Sequence, residues 1–120
     1  MRRIAGGVVL GLALVAQPAG AMTVNEFLAK AVALRAKGMM ALFSSDLGVL
    51  KRETKTAMEA LRADRLAAEK AGRKPLYCPR PGAKTDSDEF LSALQAIPPA
   101  ERGVSIRDGF ARVLAKRFPC

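Results

Sequence analysis

Two cysteines, Cys78 and Cys120, constrain this chain more than any other feature. They are its only cysteines, and the second is its last residue. Paired, they tie the extreme C-terminus to the middle of the chain and close a loop of about 43 residues, a closure that chain-entropy arguments value at about 4 kcal/mol at most. Against a typical net stability of about 5–15 kcal/mol, that is a large share. A reactive thiol would instead want a helix start or a basic pocket around it. Cys120 follows Pro119 at the chain end, which favours a structural staple.

Pairing requires an oxidising compartment, and the first 21 residues supply the route to one. Met1-Arg2-Arg3 is a short basic head, Ile4 to Ala16 is apolar without a charge, and Ala19-Gly20-Ala21 places small residues where a signal peptidase reads. This three-part pattern is that of a secretory signal, with Met22 as the expected mature start. An uncleaved anchor would need about 20 apolar residues, and Gln17, Pro18 and Gly20 end the run first. No cysteine lies near the cleavage site to carry a lipid. The expectation is a single exported domain, residues 22–120, with no stable membrane insertion after cleavage.

Removing residues 1–21 leaves 99 of the 120, near the size at which one hydrophobic core becomes marginal. Without Arg2 and Arg3 the 20 Lys and Arg become 18, against 11 Asp and Glu, for a net charge of +7. Such a charge gives solubility and long-range attraction to acidic surfaces. Nucleic-acid binding usually interleaves aromatic with basic residues. Here the basic residues are spread over every segment and one Tyr is present, so nucleic acid is not an expected partner. There is no His, which excludes Ser-His-Asp and Cys-His catalysis, His-ligated metals and c-type haem attachment. No Gly-rich phosphate loop, CxxC pair or nucleophile elbow occurs. No enzyme activity, cofactor or metal is expected.

The mature chain is rich in Ala and Leu and poor in β-branched residues, which favours helices. Thr23-Val24-Asn25-Glu26 reads as a capping box, and Val24, Phe27, Leu28, Ala31 and Leu34 follow helical spacing up to Gly38. A first helix is expected over about 24–37. Met39-Met40-Ala41-Leu42-Phe43 is too short and apolar to stand alone and reads as one buried turn; a Met pair can mark an adaptable binding surface but more often fills core gaps, and core is the expectation. Ser44-Ser45-Asp46 signals a helix start, and the longest helical pattern follows over about 46–71. Leu47, Leu50, Ala57, Met58, Leu61 and Ala68 share one face, interrupted by Thr54 and Arg65. The other face carries Lys51, Arg52, Lys55, Glu59, Arg62, Glu69 and Lys70, and Lys55–Glu59 and Arg65–Glu69 are spaced for weak ion pairs. Asp86 opens a third helix over about 87–96, ended by Pro98-Pro99, and Val104 to Phe118 give a fourth over about 103–117. With no strand pattern or repeat, the expectation is all-α: a small bundle of four main helices plus a short extra turn, stapled by one disulfide.

Residues 72–86, GRKPLYCPRPGAKTD, form the only long irregular stretch, with three prolines and two glycines. Loops this long in compact domains are functional or pinned, and Cys78 supplies the pin. Arg73, Lys74, Arg80 and Lys84 make it basic and Tyr77 is the chain's one tyrosine. Tyr and Arg dominate interface energies, so Arg73, Lys74, Tyr77 and Arg80, with the exposed face of the long helix, are the candidate partner contacts. Asp86-Ser87-Asp88-Glu89 is the densest acidic cluster. Its ligands are consecutive rather than spread over the roughly 12 residues of a calcium loop, and acids in a helix's first turn answer to its dipole.

Tyr77-Cys78-Pro79, then a helix closing at Ile97-Pro98, then an amphipathic helix closing at Phe118-Pro119-Cys120, resembles the Rap/Tai immunity proteins of type VI secretion. The resemblance covers mainly residues 76–120. Cys78 and Cys120 match the family's disulfide positions, and Pro98 matches its helix-ending Pro, without the His that often precedes it. The first half departs, with LFSSDLGVLKRETKTAMEAL in place of the Gly- and Tyr-containing helix of many members. The resemblance implies a periplasmic all-α protein that binds a peptidoglycan amidase toxin, occludes its active site, and in some members forms dimers. The alternative expectation is a non-enzymatic cationic envelope protein held by charge on anionic cell-wall polymer or a membrane surface.

Overall fold

The computed structural model describes residues 22–120; the expected secretory signal, residues 1–21, lies outside the described residues. Four α-helices run Val24–Ala36 (α1), Ser45–Lys70 (α2), Ser87–Gln95 (α3) and Ile106–Arg117 (α4), with 3₁₀ turns at Gly38–Phe43 and Pro99–Glu101. Among the described residues there is no strand beyond a single antiparallel bridge, Thr23 with Ser105. The fold is all-α, and Cys78 and Cys120 form a disulfide.

Each long helix begins where a short polar side chain accepts a hydrogen bond from an amide of the first turn, which has no partner within the helix. Thr23 Oγ1 accepts from Glu26 N at 3.2 Å, Ser44 Oγ from Asp46 N at 3.3 Å, Asp86 Oδ1 from Asp88 N at 3.0 Å and Ser105 Oγ from Asp108 N at 3.1 Å. The last of these corrects the expected start of the fourth helix. Gly103 and Val104 are outside it because the chain there turns and is bonded to the start of α1. Val24 N donates to Val104 O, Asn25 N to Arg102 O and Ile106 N to Met22 O, at 2.8–3.0 Å. Two amides of α1's first turn thus bond to the approach to α4. At the other end of α3, Arg102 donates to the carbonyls of Gln95 and Ile97 at 2.7 and 2.9 Å, meeting acceptors that a helix end leaves over.

The core gathers around Phe110, which is fully buried with Leu94 and Val24. Phe27 and Phe90 meet the Phe110 ring edge-on, with centroids at 5.6 and 4.8 Å and planes 85° apart in both pairs, the geometry that the ring quadrupoles favour. Leu50, Ala57 and Leu61 of α2, Leu91 of α3 and Val113 and Leu114 of α4 complete it. α2 packs on α4 and α1, and α3 on α4 and α1. Gly109 lies where α4 crosses the start of α1; a Cβ there would collide with Val24 Cγ2.

α2 ends in a Schellman arrangement, with Arg73 N on Ala68 O at 2.8 Å, Gly72 N on Glu69 O at 3.1 Å, and Gly72 at φ 70°. The irregular stretch that follows is pinned at several points besides the disulfide. Cys78 N donates to Phe118 O at 2.8 Å, and Arg117 reaches Lys84 O at 3.4 Å.

Gly109→Ala should destabilise the fold, because overpacking against a buried Val24 costs about 1–3 kcal/mol and exceeds the roughly 1 kcal/mol that Ala returns in a helix interior. Urea unfolding measures it, and a Val24→Ala, Gly109→Ala double variant should show a favourable coupling. Replacing both cysteines by Ser should lower stability by about 2–4 kcal/mol while far-ultraviolet circular dichroism keeps its helical signal, since the core contains neither cysteine.

Candidate functional site

α1 is apolar almost all round: Asn25, Glu26, Lys30 and Arg35 are its only polar residues. Such a helix is normally covered on every side. Here only one face is covered, by Phe27, Leu28, Ala31 and Leu34, while Ala29, Val32, Ala33 and Ala36 remain exposed at helical spacing. Two of its charged side chains are occupied in holding neighbouring elements. Lys30 pairs with Asp46 at 3.1 Å and Arg35 pairs with Asp88.

Beyond Gly38, at φ 55°, the chain turns into the 3₁₀ segment. The expectation of a buried turn fails here. Met39, Met40, Leu42 and Phe43 are 81, 65, 67 and 83% exposed, and Ala41 alone of the five leans on the core. The physical reason is geometric. In a 3₁₀ turn side chains at i and i+3 eclipse, so six residues spread their side chains around the axis, and a corner between α1 and α2 offers a core on one side only. The result is four adjacent large apolar groups in water, continuing the exposed stripe of α1. Arg35 and Lys37 flank it, and Lys37 Nζ lies 3.5 Å from Ser44 Oγ.

The four expected partner contacts of the loop are divided by the structure. Arg73, Lys74 and Arg80 are exposed. Tyr77 is 6% exposed and belongs to the core, so its ring is not available to a partner. The Arg65 guanidinium lies over that ring, 5.7 Å from its centroid, and bonds Glu69 at 3.2 Å. This explains why an arginine interrupts the apolar face of α2: it covers the aromatic brought in by the loop. In place of Tyr77, the loop exposes Leu76.

The acidic cluster is occupied by structure. Asp86 caps α3, Asp88 pairs with Arg35, and Glu89 pairs with Arg117 at 2.9 Å. Among the described residues no group of three or more His, Cys, Asp or Glu is arranged to hold a metal ion, and no helix is long and apolar enough to cross a membrane. Comparison with protein families, curated proteins and solved structures gives no match to the chain.

The arrangement joins an apolar corner, adaptable through its two methionines, to the nearby cations Arg35 and Lys37, and of the corner's side chains only Ala41 leans on the core. Phe43→Ser should therefore change unfolding free energy by no more than about 0.5 kcal/mol. Tyr77→Ala, which empties a core position, should cost about 3 kcal/mol. Paired urea titrations check the contrast; a large loss for Phe43→Ser would mean that the corner is part of the core.

Proposed function

We propose that this protein is a periplasmic immunity protein that binds a peptidoglycan amidase toxin of type VI secretion and blocks its active site. The observation that carries the binding role is the exposure of Met39, Met40, Leu42 and Phe43. A contiguous apolar patch on a folded domain is a feature of interaction sites, and Met and aromatic residues are enriched at protein interfaces. Each square ångström of such surface withdrawn from water is worth about 25 cal/mol, and an interface of about 800 Å² on one partner suffices for a stable complex.

The choice of partner rests on the resemblance. Its residues come together in the fold, with Cys78 bonded to Cys120 and the Cys78 amide on the Phe118 carbonyl. They form the frame of the domain, whereas the corner lies in the half of the chain that departs from the family. A scaffold kept constant and a contact surface that varies is the economy expected of inhibitors matched to different toxins. The net charge of +7 over residues 22–120 adds attraction to acidic surfaces and speeds encounter more than it tightens binding. A protein held only by that charge would be released by salt; a packed apolar contact would persist.

The test is inhibition of a type VI peptidoglycan amidase on purified cell wall, read at low and high salt. The native protein should inhibit at both. Leu42→Asp with Phe43→Asp should weaken inhibition about 100-fold or more, the scale of losing two hot-spot residues, with an unchanged melting temperature. Reversing Arg73 and Arg80 together should slow association with a smaller effect on dissociation. Full inhibition by the Leu42, Phe43 double variant would remove the corner from the interface, and release by salt alone would favour the cationic envelope protein.

A further inference from the structure

α2 and α3 both lean on α1 and α4 but stand apart from one another, and the gap between them is an apolar groove of about 370 Å³. Phe27 and Ala31 of α1 and Phe110 of α4 form its floor, Met58 lines the α2 side and Leu91 the α3 side. The polar groups at the groove are hydroxyls, from Thr54, Thr85 and Ser87. Thr54 is the residue that interrupts the apolar face of α2, and the groove accounts for it: the position borders a space instead of a packed neighbour. The size falls within the range of small-ligand sites, which run from about 300 to 1,000 Å³.

The charge beside the groove has one sign on the α2 side. At 100° per residue, Lys51, Arg62 and Lys55 follow Met58 around the helix, away from the buried stripe of Leu50, Ala57 and Leu61. All three are exposed. Lys55 has only a 4.0 Å approach to Glu59, and no ion pair involves Lys51 or Arg62 among the described residues. The carboxylates across the groove are engaged, Asp86 at its cap and Asp88 by Arg35.

From this juxtaposition, an apolar slot beside exposed cations, we infer that the groove holds the alkyl chain of a small anionic amphiphile, with Lys51, Lys55 and Arg62 facing its carboxylate or phosphate. The site is separate from the apolar corner and does not depend on the immunity reading.

The probes are dodecanoate and dodecyl phosphate, each below its micellar concentration, titrated calorimetrically into the purified protein. One saturable site per chain is expected. The uncharged methyl ester of dodecanoate should bind about tenfold more weakly, as should dodecanoate to the Lys51→Glu, Lys55→Glu variant. Thr54→Phe, which puts a ring over the groove, should abolish the heat while the melting temperature holds. Ser87→Phe on the opposite, exposed rim serves if Thr54→Phe melts early. Absence of a saturable site overturns the proposal, as does undiminished binding by a folded groove-filling variant. So does equal binding of the neutral ester. Binding to phosphatidylglycerol vesicles without binding to either monomeric probe would assign the basic rim to a membrane surface. Loss of amidase inhibition in Thr54→Phe, with no amphiphile bound by the native chain, would assign the groove to the protein partner.

Discussion

The crossing of α1 and α4 sets the rest of the molecule. Three backbone hydrogen bonds join the segment Met22–Asn25 to Arg102–Ile106, and one helical turn later the missing side chain of Gly109 lets α4 come against Val24. This close approach carries Phe110 between Phe27 and Phe90, and the three rings make the centre on which α2 and α3 lean from separate sides. Because α1 is held at its start by backbone bonds and along one face by aromatic packing, it does not need its other face to be covered. The exposed stripe and the apolar corner that continues it follow from that.

The disulfide acts elsewhere. Cys78 and Cys120 clamp the irregular stretch and the chain end together, and Tyr77, one residue before the staple, passes into the core beneath Arg65. Stabilisation by such a bridge comes largely from restricting the unfolded chain, which matters in a domain whose core is limited by its size. Ion pairs between elements, Arg35 with Asp88, Arg107 with Asp64 and Arg117 with Glu89, are exposed. Each adds about 1 kcal/mol or less, and together they fix orientation more than stability.

Local chemistry was readable from the chain. Thr23, Ser44 and Asp86 each cap the helix that their position announces, Gly72 ends α2, and the only two cysteines pair. What was not readable depends on what lies across space. Met39 to Phe43 has the composition of a core, and only the placement of the corner outside the bundle makes it surface. Tyr77 beside Pro and Arg has the composition of a contact, and only Arg65, twelve residues earlier, shows that it is covered. The start of α4 moved to Ile106 because residues 102–104 bond to α1, a pairing between segments some eighty residues apart. The interruptions of the α2 stripe at Thr54 and Arg65 were the available signal for both a groove and a stacked cation, but a stripe does not say which.

The proposed immunity role needs the Gly38–Phe43 corner to be a partner surface. The most direct measurement is recovery of the tagged protein from its native envelope fraction in high salt, side by side with the Leu42→Asp, Phe43→Asp variant, with the bound proteins identified and quantified by mass spectrometry. A peptidoglycan amidase should be recovered in stoichiometric amount with the native protein and lost with the variant. An amidase retained equally by both would contradict the corner as the contact, and no stoichiometric partner while type VI secretion is active would contradict the immunity role itself.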